Sequence, residues 1–246
     1  MRRLTGALAL AVLAAVAQPH AQGAAAPGTD EAALARLEAK VAAAPDDVRA
    51  ANDYRMAVVA AAGDRSVRLY DRAIAFFEKL VAEHPGVANA HLNFGFAYVD
   101  KIPAAGTITQ VILANNALGA FTKALELSPS WITYYTRGNG YLFWPRIFGR
   151  TKLGVADLIE AIKFQRAGAK RDYHARAFIA LGDGYWKMDE FDKAVATWKE
   201  GLGEFPNNAV LKERVAKQGE ELKALIEASW DPAKRVDTSL QDLWTN

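Results

Sequence analysis

The chain has 246 residues, 51% of them hydrophobic, and no cysteine. That length suffices for one large core or a row of linked small ones, and the missing cysteine excludes disulfides, thiol catalysis, thiolate metal sites and a lipidated N-terminal Cys. Thirty Lys and Arg stand against 28 Asp and Glu; without Arg2 and Arg3, which lie in an expected leader, the balance is neutral, and that argues against nucleic-acid or anionic-membrane binding in bulk.

Residues 1–23 read as a secretory signal peptide. Arg2 and Arg3 give it a positive end, and residues 4–17 form an apolar run with no amphipathic face, too short to span a bilayer comfortably. Cleavage is expected after Ala17 or Gly23. An Ala-rich leader of this style points to a bacterial, periplasmic protein, with the extracellular medium as the alternative and no transmembrane helix in the mature chain. Residues 24–29 then form a flexible lead-in.

Helical periodicity dominates the rest, and few segments alternate with period two, so almost no sheet is expected. Residues 30–44 read as the first mature helix, with acids in its first turn and Pro45 beyond its end. Residues 48–62 follow, closed by Gly63. Residues 66–83 carry Leu69, Ala73, Phe76, Phe77 and Leu80 on one side and stop before Pro85. Four helix pairs follow, over 48–85, 88–129, 131–168 and 175–208, and Pro85, Pro129 and Pro206 mark the ends of the first, second and fourth. The first three are over-long. Their extra residues sit between the two helices of each pair: around Asp64, at 101–116 with Pro103 and Gly106 as the turn, and at 144–150. Residues 107–116 are expected to prolong the second helix of their pair at its start. Asn208 caps a closing helix expected over 208–229, highly charged on its outer side. Residues 230–246 form a tail in which Leu240, Leu243 and Trp244 have the spacing of a short helix after Thr238 or Ser239.

The fourth pair is the clearest. Phe178, Leu181, Gly182 and Tyr185 fall on one helical face; Met188 and Asp189 interrupt; Phe191, Ala194, Val195, Trp198 and Leu202 restart the period; Pro206 ends it. Gly182 and Ala194 are small where two helices must approach closely. Large-x-x-Leu-Gly-x-x-Tyr, then Ala-x-x-x-aromatic, then Pro, over about 34 residues, resembles the tetratricopeptide repeat. Phe94, Gly95 and Tyr98 with Ala117, Phe121, Ala124 and Pro129 match it in the second pair, and Gly138 and Tyr141 in the third. The resemblance implies an all-α solenoid of antiparallel helix pairs, about ten helices in a right-handed superhelix spanning residues 30–229.

In that family the first helix of each pair lines a concave groove, and the second, fifth, ninth and twelfth residues of each repeat point into it. On this chain those positions are Asn89, Leu92, Phe96 and Val99, then Ile132, Tyr135, Asn139 and Leu142, then Arg176, Ile179, Asp183 and Trp186. Rings supply buried area and amides satisfy backbone groups, so the set suits an extended peptide; the opposing reading is packing between repeats. Asn139 and Arg176 are placed as in the family's clamp for a C-terminal carboxylate, but its lysines are missing. The loop over residues 141–150 is the second candidate surface. Tyr141, Phe143, Trp144 and Phe148 with Arg146 and Arg150 have the composition of an interface hot spot, or else fold back over a neighbouring repeat.

No catalytic constellation and no metal-ligand spacing is present. His84, His91 and His174 stand apart from carboxylate clusters, no Gly-x-Ser-x-Gly occurs, and the glycines around Asp183 lie inside a helix rather than in a nucleotide loop. The expectation is a non-catalytic scaffold for protein or peptide partners, without a cofactor. A carrier of a small apolar or cofactor-like ligand, with Phe96, Tyr135 and Trp186 around it, and a self-assembly module are the alternatives.

Overall fold

A computed structural model describes residues 31–63, 66–231 and 235–244. The expected leader, residues 1–23, and the lead-in lie outside them. Among the described residues the chain forms eleven α-helices and no strand. They are α1 (Glu31–Ala43), α2 (Val48–Ala62), α3 (Val67–Glu83), α4 (Ala88–Lys101), α5 (Thr107–Leu127), α6 (Trp131–Leu142), α7 (Thr151–Arg166), α8 (Ala175–Lys187), α9 (Phe191–Glu204), α10 (Ala209–Ala216) and α11 (Gly219–Glu227). Each packs on the next in chain order through α10, and α2 touches α4 as α6 touches α8. The result is a row of antiparallel pairs, α2–α3, α4–α5, α6–α7 and α8–α9.

Local chemistry sets the starts. Asp47 accepts from the backbone N–H of Arg49 and Ala50 at 3.0 Å ahead of α2. Ser130 and Thr133 form a reciprocal capping box at α6, and Asn208 caps α10 through Leu211 N at 3.0 Å. As the sequence predicts, α5 begins at Thr107 and runs 21 residues.

In α4–α5 and α8–α9 a glycine of the first helix meets an aromatic side chain of the second. A Cβ on Gly182 would lie 2.2 Å from the Trp198 indole nitrogen, and one on Gly95 would lie 2.3 Å from the Phe121 ring. Those contacts let the helix axes close while the aromatic fills the notch. Three apolar clusters result. Tyr54, Tyr70, Phe77 and Leu80 centre one on α1–α4; Leu142, Leu158, Phe178, Trp198, Leu211 and Ile226 centre a second on α6–α11; Leu92, Ala117, Phe121 and Ala124 form a smaller third between α4 and α5.

The closing helix differs from expectation. Residues 208–229 form two helices, because Gly219 takes φ +56° after an extended Gln218. The break turns α11 so that Leu222 and Ile226 join the second core. The tail differs too: of the short helix expected there, only a 3-10 turn at Gln241–Leu243 is present.

Candidate functional site

The inner side of the first helices carries a buried polar cluster. Arg55 on α2 is fully buried, with Nε donating to Asn93 Oδ1 at 2.9 Å, Nη1 to Asp100 Oδ2 at 2.9 Å and Nη2 to Asn52 Oδ1 at 3.3 Å. Its guanidinium lies 4.8 Å from the centroid of the Phe96 ring. Burial pulls the Arg55 pKa down and the Asp100 carboxylate pushes it back up. A guanidinium starts so high that it stays charged, which makes its partners obligatory.

A further partner belongs to the C-terminal tail, which also bonds to Asp100 and Asn52. Arg55 Nη2 donates to the Thr238 carbonyl at 2.8 Å, and the Thr238 hydroxyl donates to Asp100. The Leu240 backbone N–H donates to Asn52 Oδ1 at 2.9 Å. Leu240 itself is 5% exposed, in a cluster with Leu92, Ala117, Phe121 and Ala124, against which Phe96, Ile132, Leu243 and Trp244 pack. At one end Arg235 donates to the Asp100 carbonyl at 2.9 Å and the Tyr70 hydroxyl at 2.7 Å. At the other, Arg176 on α8 holds Asp242 at 2.5 Å and Asp237 at 3.7 Å. The tail segment thus lies along α2, α4 and α8, its backbone read by an Asn and an Arg.

No family model matches the sequence. Among solved structures, TTC0263, described as a thermophilic TPR protein in Thermus thermophilus, is similar at 21% identity and a TM-score of 0.54, over 75% of this chain and 88% of that one. The MamA protein is similar at 18% identity and a TM-score of 0.47, over 75% of this chain and 83% of that one. The fold is that of a tetratricopeptide-repeat protein.

Within the tetratricopeptide array the predicted groove residues divide. Leu92 and Phe96 belong to the cluster that receives Leu240, and Arg176 binds the tail's carboxylates. Asn89 donates instead to Asp46 in the turn before α2, through both its carbonyl (2.9 Å) and its carboxylate (3.0 Å). Tyr135 stacks on Trp131 at 4.8 Å, and burial pushes its phenol up to about 12. Asn139 is half-buried on α6. Asp183 is engaged elsewhere. It is 3% exposed, accepts from Arg214 Nε at 2.6 Å and Nη2 at 2.7 Å, and takes the Trp198 indole N–H at 3.2 Å. That side chain ties α8 to α10 and α9. Trp186 is half-buried, 6.5 Å from Trp230 between ring centroids.

Asn52, Arg55, Asn93 and Asp100 are missing from the sequence-based set. The one local signal is an Arg on the otherwise apolar inner stripe of residues 50–62.

The 141–150 loop splits in the same way. Trp144 is 7% exposed; the Lys187 ammonium donates to the Leu142 and Trp144 carbonyls, and the Arg150 guanidinium stacks 3.7 Å from the Trp144 centroid. Tyr141 and Phe143 are half-buried. Ile147 and Phe148, in the 3-10 turn Arg146–Phe148, are 88% and 57% exposed. Arg146 meets the Asp189 carboxylate at 2.7 Å, at the only non-glycine residue of positive φ among those described. Arg150 also reaches Asn115 on α5 (3.3 Å), one and two turns beyond the exposed Ile112, Val111 and Ile108. Two over-long connections therefore meet on one edge and present apolar side chains there.

Among the described residues no group of three or more His, Cys, Asp or Glu is arranged to hold a metal, and no helix is long and apolar enough to cross a membrane. An open cleft of about 400 Å³ lies between α4 and α5, lined by His91, Phe94, Tyr98 and Lys123 among others.

Proposed function

We propose that the protein is a non-catalytic scaffold of the cell envelope that binds protein or peptide partners, through its concave groove and through the edge formed by the 141–150 loop. One observation carries the reading: a segment of the chain's own tail lies on α2 and α4, its Thr238 carbonyl and Leu240 N–H bonded to Arg55 and Asn52. A surface that satisfies the backbone of one segment has the chemistry to hold another. The edge adds exposed Ile147 and Phe148 beside Ile108, Val111 and Ile112, apolar side chains left in water within a chain that buries most of its others. Export to the periplasm rests on residues 1–23, and cell fractionation with and without those residues tests it.

The partner reading is tested by placing a photo-crosslinking residue at Ile147, at Arg176, or at exposed Lys199 on α9. Irradiation of intact envelopes should give discrete adducts from the first two positions and none from the third. Equal yields at all three, or none anywhere, would refute it.

A further inference from the structure

We infer that the groove selects a peptide of the pattern Thr-x-Leu-x-Asp, and that the protein's own tail, residues 235–244, is a resident competitor for that site. The inference rests on the peptide-binding reading of the groove and adds to it the ligand class and the gate.

The tail defines three subsites by what each side chain meets. The first takes a hydroxyl residue, because Asp100 Oδ1 accepts from the Thr238 hydroxyl while Arg55 Nη2 donates to the carbonyl of the same residue at 2.8 Å. Alanine there leaves the buried Asp100 carboxylate short of a donor, and a carboxylate ligand would face it as a like charge. The second takes a medium apolar side chain. Leu240 is 5% exposed against Leu92 and Phe121, and its N–H is fixed by Asn52. The third takes an acid: Asp242 meets Arg176 at 2.5 Å, with Asp237 at 3.7 Å from the same guanidinium. Thr238 and Leu240 precede the 3-10 turn Gln241–Leu243, and Asp242 is carried to Arg176 by that turn.

The occupant is tethered, and that decides how the site behaves. A segment joined to its site by a short connection competes at an effective concentration on the order of millimolar. A partner peptide of matching pattern must displace it, so the intact chain binds such a peptide far more weakly than a chain whose tail is released. The hold is weakest at the Arg176 pair, which is about two-fifths exposed on both sides, where ion pairs contribute little.

The experiment uses the full-length chain and a fluorescein-labelled peptide, Arg-Val-Asp-Thr-Ser-Leu-Gln-Asp-Leu-Trp, followed by fluorescence anisotropy. Leu240→Asp, and separately Thr238→Ala with Leu240→Ala, should each raise the affinity for the peptide at least tenfold over wild type. The peptide with alanine in place of its sixth residue should bind the released chains at least tenfold more weakly. Circular dichroism checks that the variants keep their helices. In the wild-type chain, which needs no variant to fold, excess peptide should speed amide exchange across residues 235–244. Equal affinity for wild type and variants, no binding to either, or exchange unchanged at saturating peptide would overturn the inference. A wild-type dimer that Leu240→Asp converts to monomer would also overturn it, in favour of tails exchanged between copies. Crosslinks from Ile147 do not involve the tail: if they persist while the peptide result fails, only this inference falls; if they vanish while the peptide result holds, only the edge loses its part in the scaffold reading.

Discussion

Arg55 and Asp100 form an ion pair at 2.9 Å whose side chains are 0% and 4% exposed, roofed by Thr238 from the far end of the chain. A charge pair so far from water is held in place by its hydrogen bonds, and removing one member strands the other. Arg55→Met should therefore lower the unfolding free energy by about 3–5 kcal/mol. Pairing it with Asp100→Leu should recover much of that loss. Urea denaturation of the two variants measures both, and an equal loss in single and double variants would show that the pair is not the cause.

The glycine notches predict opposite signs for chemically identical changes. Gly182→Ala drives a methyl into the Trp198 indole, whose N–H is anchored on Asp183, so overpacking of about 1–3 kcal/mol is expected. Gly119 lies inside α5 with no atom within 4 Å of a built Cβ, and there Gly119→Ala should stabilise by about 0.5–1 kcal/mol through helix propensity. Thermal melts of the two single variants should move in opposite directions.

That contrast also marks what is legible in the sequence. Gly95 and Gly182 can be placed because a short-range pattern, small residue against aromatic at repeat spacing, is written within one helix pair. Helix limits are legible for the same reason: α2 covers the residues its apolar period predicts. The closing helix departs from its expected length because the charged outer face continues through residues 212–223 without marking the turn at Gly219. Asp183 occupies a groove position by register, yet its carboxylate goes to Arg214, which register within one repeat does not encode. The tail is least legible of all. Leu240, Leu243 and Trp244 have helical spacing, but the backbone of the segment is claimed by Asn52 and Arg55, 188 and 183 residues away from the atoms they bind. Long-range hydrogen bonds leave no periodic trace.

Lys187 gives a pH signature. Burial between α8 and the loop pulls its ammonium from the ordinary 10.5 down to about 8, with Arg146 adding repulsion. Between those values the unfolded chain holds a proton that the folded chain has lost, so this group's contribution to stability rises with pH from about 8 to 10.5. Tyr135, raised to about 12 by burial, works in the opposite direction above the ordinary 10, where only the unfolded phenol ionises. Subtracting the unfolding free energy of Lys187→Met from that of wild type isolates the lysine. The difference should climb from about pH 8 to about 10; a flat difference would mean that Lys187 keeps its proton in the fold.

The loop separates packing from binding within a few positions. Trp144 is buried under Arg150 with its carbonyl held by Lys187, so Trp144→Ala should cost about 3–5 kcal/mol of stability whatever its effect on partners. Ile147 and Phe148 are mostly in water, and replacing both by Ser should leave the urea midpoint nearly unchanged. If the edge is an interaction surface, the same double substitution should abolish most envelope crosslinks from a probe at exposed Leu153, at the start of α7. Stability lost in parallel with crosslinking would assign Ile147 and Phe148 to the core. Crosslinking kept at wild-type yield would move the partner surface off this edge and leave the groove, where the tail already lies, as the place to look.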